Sequence, residues 1–355
     1  MRRGRNRPST ALASFVLLLL LSLGGCGEAD LVSHHFGKVG IGPARELHVP
    51  PHRFYAPTSF WNRKLSPNAP LDPTSEAIVG AFQAEVQAEL EGGHGPAINT
   101  TEYSVPIYRV PRHEPTQRVT LDRPNAKALQ RAFNAVPIPP DAKPAAGTDA
   151  KLVIWQPATD RLWEFWRASY ESDGWHADWG GATQRVSSAT GYYGPDSWPG
   201  AKPWWGDSGA SMGVVGGLIT LEDLKRGVIN HALQIGIPKV RAGVYAWPAQ
   251  RTDGKSTDPL SLPEGAHLRL DPNLDLSSLH MPYLTRLMAQ AAQRYGIFVI
   301  NGAGSVCFNA EDPTRLGTNP YRGADGYFEG MYPRELLASF PWDHLQLLRM
   351  DLSGG

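Results

Sequence analysis

Apolar positions recur along this chain at two periods. Ile78, Val79, Phe82, Val86 and Leu90 repeat at helical spacing, which predicts a helix capped by Asp72, with Pro73 in its first position and Gly92-Gly93 as its stop. Leu284, Leu287, Met288, Ala291 and Tyr295 predict a second helix between Pro282 and Gly296. Both stripes read as core faces. Thr220-Leu221-Glu222-Asp223 has the form of a capping box that opens a shorter helix, and Pro333 opens another.

The rest of the chain reads as strands. Lys151 to Gln156, Arg161 to Ser169 and Trp175 to Trp179, separated by Pro157-Ala158-Thr159-Asp160 and Asp173-Gly174, predict a three-stranded antiparallel meander. Ile297 to Ile300 and Ser305 to Ala310, joined by Asn301-Gly302-Ala303-Gly304, predict a hairpin. Shorter strands fit Val105–Val110, Arg118–Leu121, Val228–Ile237, Gly243–Trp247 and His267–Leu270. Strands without regular βαβα alternation imply a mainly β fold with helical insertions, an antiparallel β-sandwich of jelly-roll-like, concanavalin-like form.

Strand alternation then assigns faces. A two-residue loop at Asp173-Gly174 pairs Ser172 with Trp175 and sets Ser169 opposite Asp178. Trp175, Ala177 and Trp179 then share a face with Glu164 and Trp166, while His176 and Asp178 join Arg167 and Phe165. A carboxylate among three indoles is either a structural Glu164 with a buried partner or a proton donor lining a cleft, because burying it unpaired costs several kcal/mol. Indole rings stack on the apolar faces of sugars, and an acid with a raised pKa suits glycosidic cleavage. Arg167, His176 and Asp178 form either a surface ion network or an acid/base site.

Further candidates lie downstream. Trp198, Trp204, Trp205 and Asp207 sit in a Gly- and Pro-rich loop, Gly191 to Gly209, where exposed aromatics serve recognition. His231 lies among apolar residues and is either a core residue or a proton-transfer group. Trp247, Gln250, Arg251 and Asp253 offer a ring, an amide, a guanidinium and a carboxylate on one turn, suited to gripping hydroxyls. Gly209-Ala210-Ser211-Met212-Gly213 matches the G-x-S-x-G pattern of serine hydrolases, but its flanks make a poor strand and a poor helix.

Composition narrows the class. With 355 residues, 41% apolar, 34 Lys+Arg against 34 Asp+Glu, the chain is globular and lacks the basic field that nucleic-acid binding needs. Its 37 glycines and 31 prolines suit a turn-rich protein. No P-loop, dinucleotide fingerprint, HExxH, CxxC or EF-hand loop occurs, so neither a nucleotide, a cofactor nor a metal is expected.

The first 25 residues read as an export signal, with Arg2, Arg3, Arg5 and Arg7 before an apolar run from Ala11 to Leu23 that is too short to span a bilayer. Leu23-Gly24-Gly25-Cys26 resembles the bacterial lipobox, which implies cleavage before Cys26, acylation of its thiol and a stable membrane anchor. Residues 26–50, including His34 and His35, then form a tether, and 51–355 a single globular domain. The signal's loss leaves a net charge of about −4. Lipidation of Cys26 leaves Cys307 without a partner, as a buried, inert thiol.

Ser59-Phe60-Trp61-Asn62, Leu162 to Ala168, Gly174 to Gly181, Gly216 to Thr220, His231-Ala232-Leu233, Trp247 to Gly254 and Tyr295-Gly296 together resemble a family of exported bacterial proteins that carries no catalytic assignment. The resemblance implies export and a single domain and leaves the chemistry to the residues. Those residues predict a lipid-anchored protein, facing the cell surface or periplasm, that acts on a poly- or oligosaccharide as a glycoside hydrolase or polysaccharide lyase. Glu164, His176, Asp178 and His231 are the proton-transfer candidates, with Trp166, Arg167, Trp179, Trp204, Trp205, Trp247, Gln250 and Arg251 as sugar contacts. A non-catalytic glycan-binding or cell-envelope lipoprotein, and a serine esterase built on Ser211, are the alternatives.

Overall fold

The computed structural model describes residues 54–354. The expected export signal, the expected lipidation site Cys26 and the expected tether lie outside these residues. Apolar stripes become helices where they were expected. Helix α1, Ser75–Gly92, starts at Ser75 rather than Pro73 because the Asp72 carboxylate takes the Thr74 N–H (2.9 Å) and hydroxyl (2.5 Å), fixing a turn before the helix. It ends at Gly93, whose left-handed φ of 69° suits glycine. Helix α2, Lys127–Ala132, is a short element that periodicity did not reveal. Helix α3, Leu221–Arg226, carries both arms of the Thr220/Asp223 capping box. Helix α4 is Tyr283–Arg294 and helix α5 Pro333–Ala338. Among the described residues no helix is long and apolar enough to cross a membrane.

The fold is mostly β, and its sheets are mixed. The largest has the order Ala97–Asn99, Cys307–Asn309, Leu233–Ile237, Ile297–Gly302, His267–Leu270, Leu345–Leu347. The predicted hairpin between the two C-terminal strands does not form, because Leu233–Ile237 inserts between them, parallel to Ile297–Gly302 and antiparallel to Cys307–Asn309. Every residue of Leu233–Ile237 is buried, as a central strand covered on both faces requires.

A four-stranded sheet has the order Ile107–Arg109, Leu152–Gln156, Arg161–Trp166, Trp179–Gln184. The first pair is parallel and the other two antiparallel. A three-stranded sheet joins Val119–Leu121, Gly174–Ala177 and Ser169–Glu171. The predicted meander is thereby divided. Arg167 takes a left-handed φ of 54°, which breaks the strand after Trp166 and sends the following hairpin into the separate sheet. The hairpin register pairs Ser169 with His176 and Tyr170 with Trp175, two residues away from the expected pairing, so Ser172-Asp173 form the loop. A shift of two keeps each side chain on its face, and Trp175 leaves the Glu164 face because its strand lies in the separate sheet, whereas Trp179 stands directly opposite Trp166.

Val299, Ile297, Ile235 and Ile237 pack under the helices, while Phe298 and Ile300 share a second core with Val153, Leu162 and Trp61. Trp163 and Phe165, on the other face of the four-stranded sheet, form a third core with Phe133 and Trp205.

Candidate functional site

A cleft of about 1510 Å³ opens where the ends of the two larger sheets meet the loops 204–209, 251–255 and 301–305. Trp166, Trp179 and Trp204 line it, together with Asp149, Lys151 and Asp207. The ladder makes this possible. Trp166 ends one strand and Trp179 begins its neighbour, so their cross-strand pairing delivers two indoles to one point. The Trp179 indole donates to Trp204 O at 3.1 Å, holding the loop that carries the third ring, which is 49% exposed. The Trp166 indole donates to Asp149 Oδ1 at 3.3 Å.

Lys151 sits between two carboxylates. Its ammonium lies 3.4 Å from Asp207 Oδ2 and 3.9 Å from Asp149 Oδ2. The Asp207 side chain is 1% exposed and that of Asp149 38%. Neither Asp207 oxygen accepts a well-formed hydrogen bond from any described residue, so charge compensates it, first that of the Lys151 ammonium and then that of the Arg251 guanidinium. Burial pushes the Asp207 carboxyl up to about 6 against the pull of the Lys151 charge, and the Asp149 charge adds to the rise. Burial also works against the Lys151 ammonium, but the two carboxylates outweigh it and hold its pKa above the ordinary lysine range. Arg251 donates to Gly206 O (3.2 Å) and Ser208 O (2.8 Å), bracing the turn on either side of Asp207.

The opposite wall comes from a bulge. The register between Leu233–Ile237 and Ile297–Gly302 shifts after Val299, and Asn301 Oδ1 accepts the Gly209 N–H at 2.6 Å. Gly209 is needed there, since an added Cβ would collide with Glu264 Oε1 and stand 2.7 Å from Asp253 Oδ2. Burial and the neighbouring Asp253 charge raise the Glu264 carboxyl to about 8. Cys307 also lines the cleft, and burial pushes its thiol up to about 11, so it stays protonated.

Glu164 lies beneath this site, fully buried and not on its surface. Its Oε2 accepts the Tyr193 hydroxyl at 2.5 Å and its Oε1 the Val215 N–H at 3.4 Å. Glu164 faces Gly181 across the ladder, and a Cβ on Gly181 would fall on the Tyr193 ring. Burial raises the Glu164 carboxyl to about 8, overriding the Tyr193 hydrogen bond, with the Asp207 charge adding to the rise. Glu164 is thus a neutral, partnered carboxyl at pH 7.

The other sequence candidates are dispersed. His176 bonds Asp122 and Asp173, each at 3.0 Å, on the three-stranded sheet away from the cleft lining. Asp178 pairs with Arg167 at 3.3 Å, and Arg167 stacks on Trp166 at 4.9 Å. His231 is buried, 2.8 Å from Ala232 O and 3.2 Å from the capping carboxylate Asp223. Trp205 is fully buried, and Gln250 donates to Tyr193 O at 2.7 Å. Trp247 is half-exposed and packs edge-on against Phe60, outside the cleft lining. Trp166, Trp179, Trp204 and Arg251 are the predicted contacts that the fold brings together.

Ser211 is buried, with its hydroxyl directed at Pro203 O and Trp205 O. No helix follows it, so the strand-turn-helix elbow of serine hydrolases is absent here. Asp149 and Lys151 were missed by sequence reasoning, and Asp207 was seen only as part of an aromatic loop. One signal was available, an Asp-Ala-Lys step beside a predicted strand, but nothing in sequence spacing ties it to residue 207. No family model matches the chain, and neither a curated protein nor a solved structure matches it.

Proposed function

We propose that this protein is an exported, lipid-anchored enzyme that hydrolyses glycosidic bonds in the cleft of Trp166, Trp179 and Trp204. The observation that carries the reading is Asp207, a buried carboxyl in an aromatic cleft that has the Lys151 ammonium at 3.4 Å but no well-formed hydrogen bond from a described residue, with its pKa raised to about 6. A carboxyl so placed is a protein acid waiting for an external hydrogen-bond partner. The second carboxylate is Asp149. One ammonium reaches both, so their separation cannot exceed the two ion-pair distances end to end, a bound that admits both the roughly 5–5.5 Å spacing of retaining pairs and the roughly 6.5 Å lower limit of pairs that work through water.

In this reading a sugar stacks on the exposed Trp204 ring and Asp207 gives its proton to the leaving glycosidic oxygen. Asp149, the more exposed of the two, takes the proton of the water that attacks the anomeric carbon. Lys151 holds both carboxyls in place and stabilises the charge left on Asp207. Glu164 supports the floor through Tyr193 and does not touch substrate. The jelly-roll-like stacking of the two larger sheets, with Phe298 and Ile300 facing Val153 and Leu162, is part of the same proposal. Attachment through Cys26 to a membrane facing the cell surface or periplasm is its other part, supported by the lipobox-like residues.

The test is a polysaccharide panel read for reducing ends and for the absorbance of unsaturated products. New reducing ends without unsaturation, abolished by Asp207→Asn while binding persists, are expected. Unsaturated ends would assign a lyase, and binding with neither product would leave a glycan-binding lipoprotein.

A further inference from the structure

The cleft carries more cationic than anionic side chains, and two of its cations have no carboxylate to neutralise them. Arg123 and Lys255 line the cleft, are exposed, and form no ion pair within 4 Å among the described residues. The other two, Lys151 and Arg251, are committed to Asp207 and to backbone carbonyls. Arg123 is also oriented. Its guanidinium carbon stands 4.7 Å from the centre of the Trp166 ring, a cation–π contact that holds the charge at the cleft wall. Such a contact uses none of the guanidinium's N–H donors, and its paired donors match a carboxylate in bidentate fashion.

Trp166 is at once the ring beside Arg123 and a wall of the cleft whose indole is tied to Asp149. Arg123 and Arg167 both lie over the Trp166 ring, so the ring open to a sugar is Trp204, and a sugar stacked on Trp204 shares the cleft with the Arg123 guanidinium. A neutral hydroxymethyl group makes little use of such a donor pair; a carboxylate fills it.

We propose that the glycan taken by this cleft is acidic, a polymer containing uronic acid, with Arg123 holding a sugar carboxylate in bidentate contact and Lys255 supplying a second positive charge. This rests on the glycan-hydrolase reading above and specifies its substrate class. The chain's formal net charge of zero gives no long-range attraction for such a polymer, so selection falls to these two side chains at short range.

The experiment compares calorimetric binding of short oligogalacturonates and oligomannuronates with that of the same oligosaccharides after reduction of their carboxyls to alcohols. At least one acidic oligosaccharide is expected to bind about tenfold more tightly than its reduced counterpart, and the preference is expected to shrink with added salt. Arg123→Gln is expected to bring the ratio close to one, Arg123→Lys to restore part of it, and Lys255→Gln to lower it less than Arg123→Gln. Thermal melts of each variant separate misfolding from a change in selectivity. Equal binding of acidic and reduced forms, or a preference that survives both Arg123→Gln and Lys255→Gln, overturns the proposal while leaving the glycan reading intact. If neither form of any oligosaccharide binds, the glycan reading falls and this inference with it.

Discussion

Substituting Lys151 by Met deletes the nearest and strongest charge that compensates Asp207 and keeps a side chain of similar length. Removing one partner of a buried pair costs about 3–5 kcal/mol when the other must stay charged. Asp207 has an escape, because it can bind a proton. Its folded pKa of about 6 lies above the ordinary value of about 3.9, so folding takes up a proton at this group. Its contribution to stability is therefore present below pH 4 and is lost as pH rises through 6. At pH 5 the carboxyl is mostly neutral in the folded protein, and Lys151→Met is expected to cost about 1–2 kcal/mol in lost contacts. At pH 8 the variant must either bury a bare carboxylate or hold a proton far above its normal range, and the cost is expected to reach about 3–5 kcal/mol. Urea denaturation of both proteins at the two pH values reads this directly, because groups remote from the pair cancel in the difference. Adding Asp207→Asn to the Lys151→Met background should recover most of the pH 8 loss. An equal loss at both pH values, or no recovery in the double variant, would refute the account of Lys151 as the counter-ion of Asp207.

Glu164→Gln keeps the shape of a carboxyl that is already neutral at pH 7. Because the folded pKa is about 8, the wild-type protein loses stability as pH rises through 8, and the variant's melting temperature should gain on the wild type's between pH 7 and 9. Ser211→Ala should retain full cleavage of the glycan and lose about 1–3 kcal/mol of stability from the unpaired backbone carbonyls; loss of turnover with unchanged stability would argue for a nucleophile. Trp204→Ala should weaken glycan binding by about tenfold with little change in melting temperature, since half of the ring is already in water.

What could be read in advance follows from which interactions are local. The stripe from Ile78 to Leu90 and the Thr220/Asp223 capping box act within a few residues, and both helices appear as expected. Strand positions at 107–109, 119–121, 233–237, 244–246 and 267–270 were legible for the same reason. Pairing was not. Whether Ile297–Gly302 turns back on Cys307–Asn309 or admits a third strand depends on residues 60 positions upstream, and nothing in the hairpin-like Asn301-Gly302 step encodes that. The division of the meander turns on one left-handed residue, Arg167, which is not a residue type that announces such a conformation. At the site, period-two alternation correctly put Glu164, Trp166 and Trp179 on one face, but alternation says nothing about depth. Glu164 is sealed by Tyr193 while Trp166 and Trp179 line the cleft, and the carboxyl that lines it with them is Asp207, which only tertiary folding sets beside Lys151.

The parallel pairing of Ala97–Asn99 with Cys307–Asn309 has a consequence for how the chain is made. The four-stranded sheet closes entirely within residues 107–184, so it can assemble while the remainder is still being synthesised. The six-stranded sheet must wait for its last strand, Leu345–Leu347, almost at the end of the chain. Until then the early half carries an apolar face with no cover, and slow closure of such distant contacts leaves it open to association with other chains. Truncation near the C-terminus should therefore damage the first-made helix, Ser75–Gly92, which packs on that final strand, before it damages the nearer sheet.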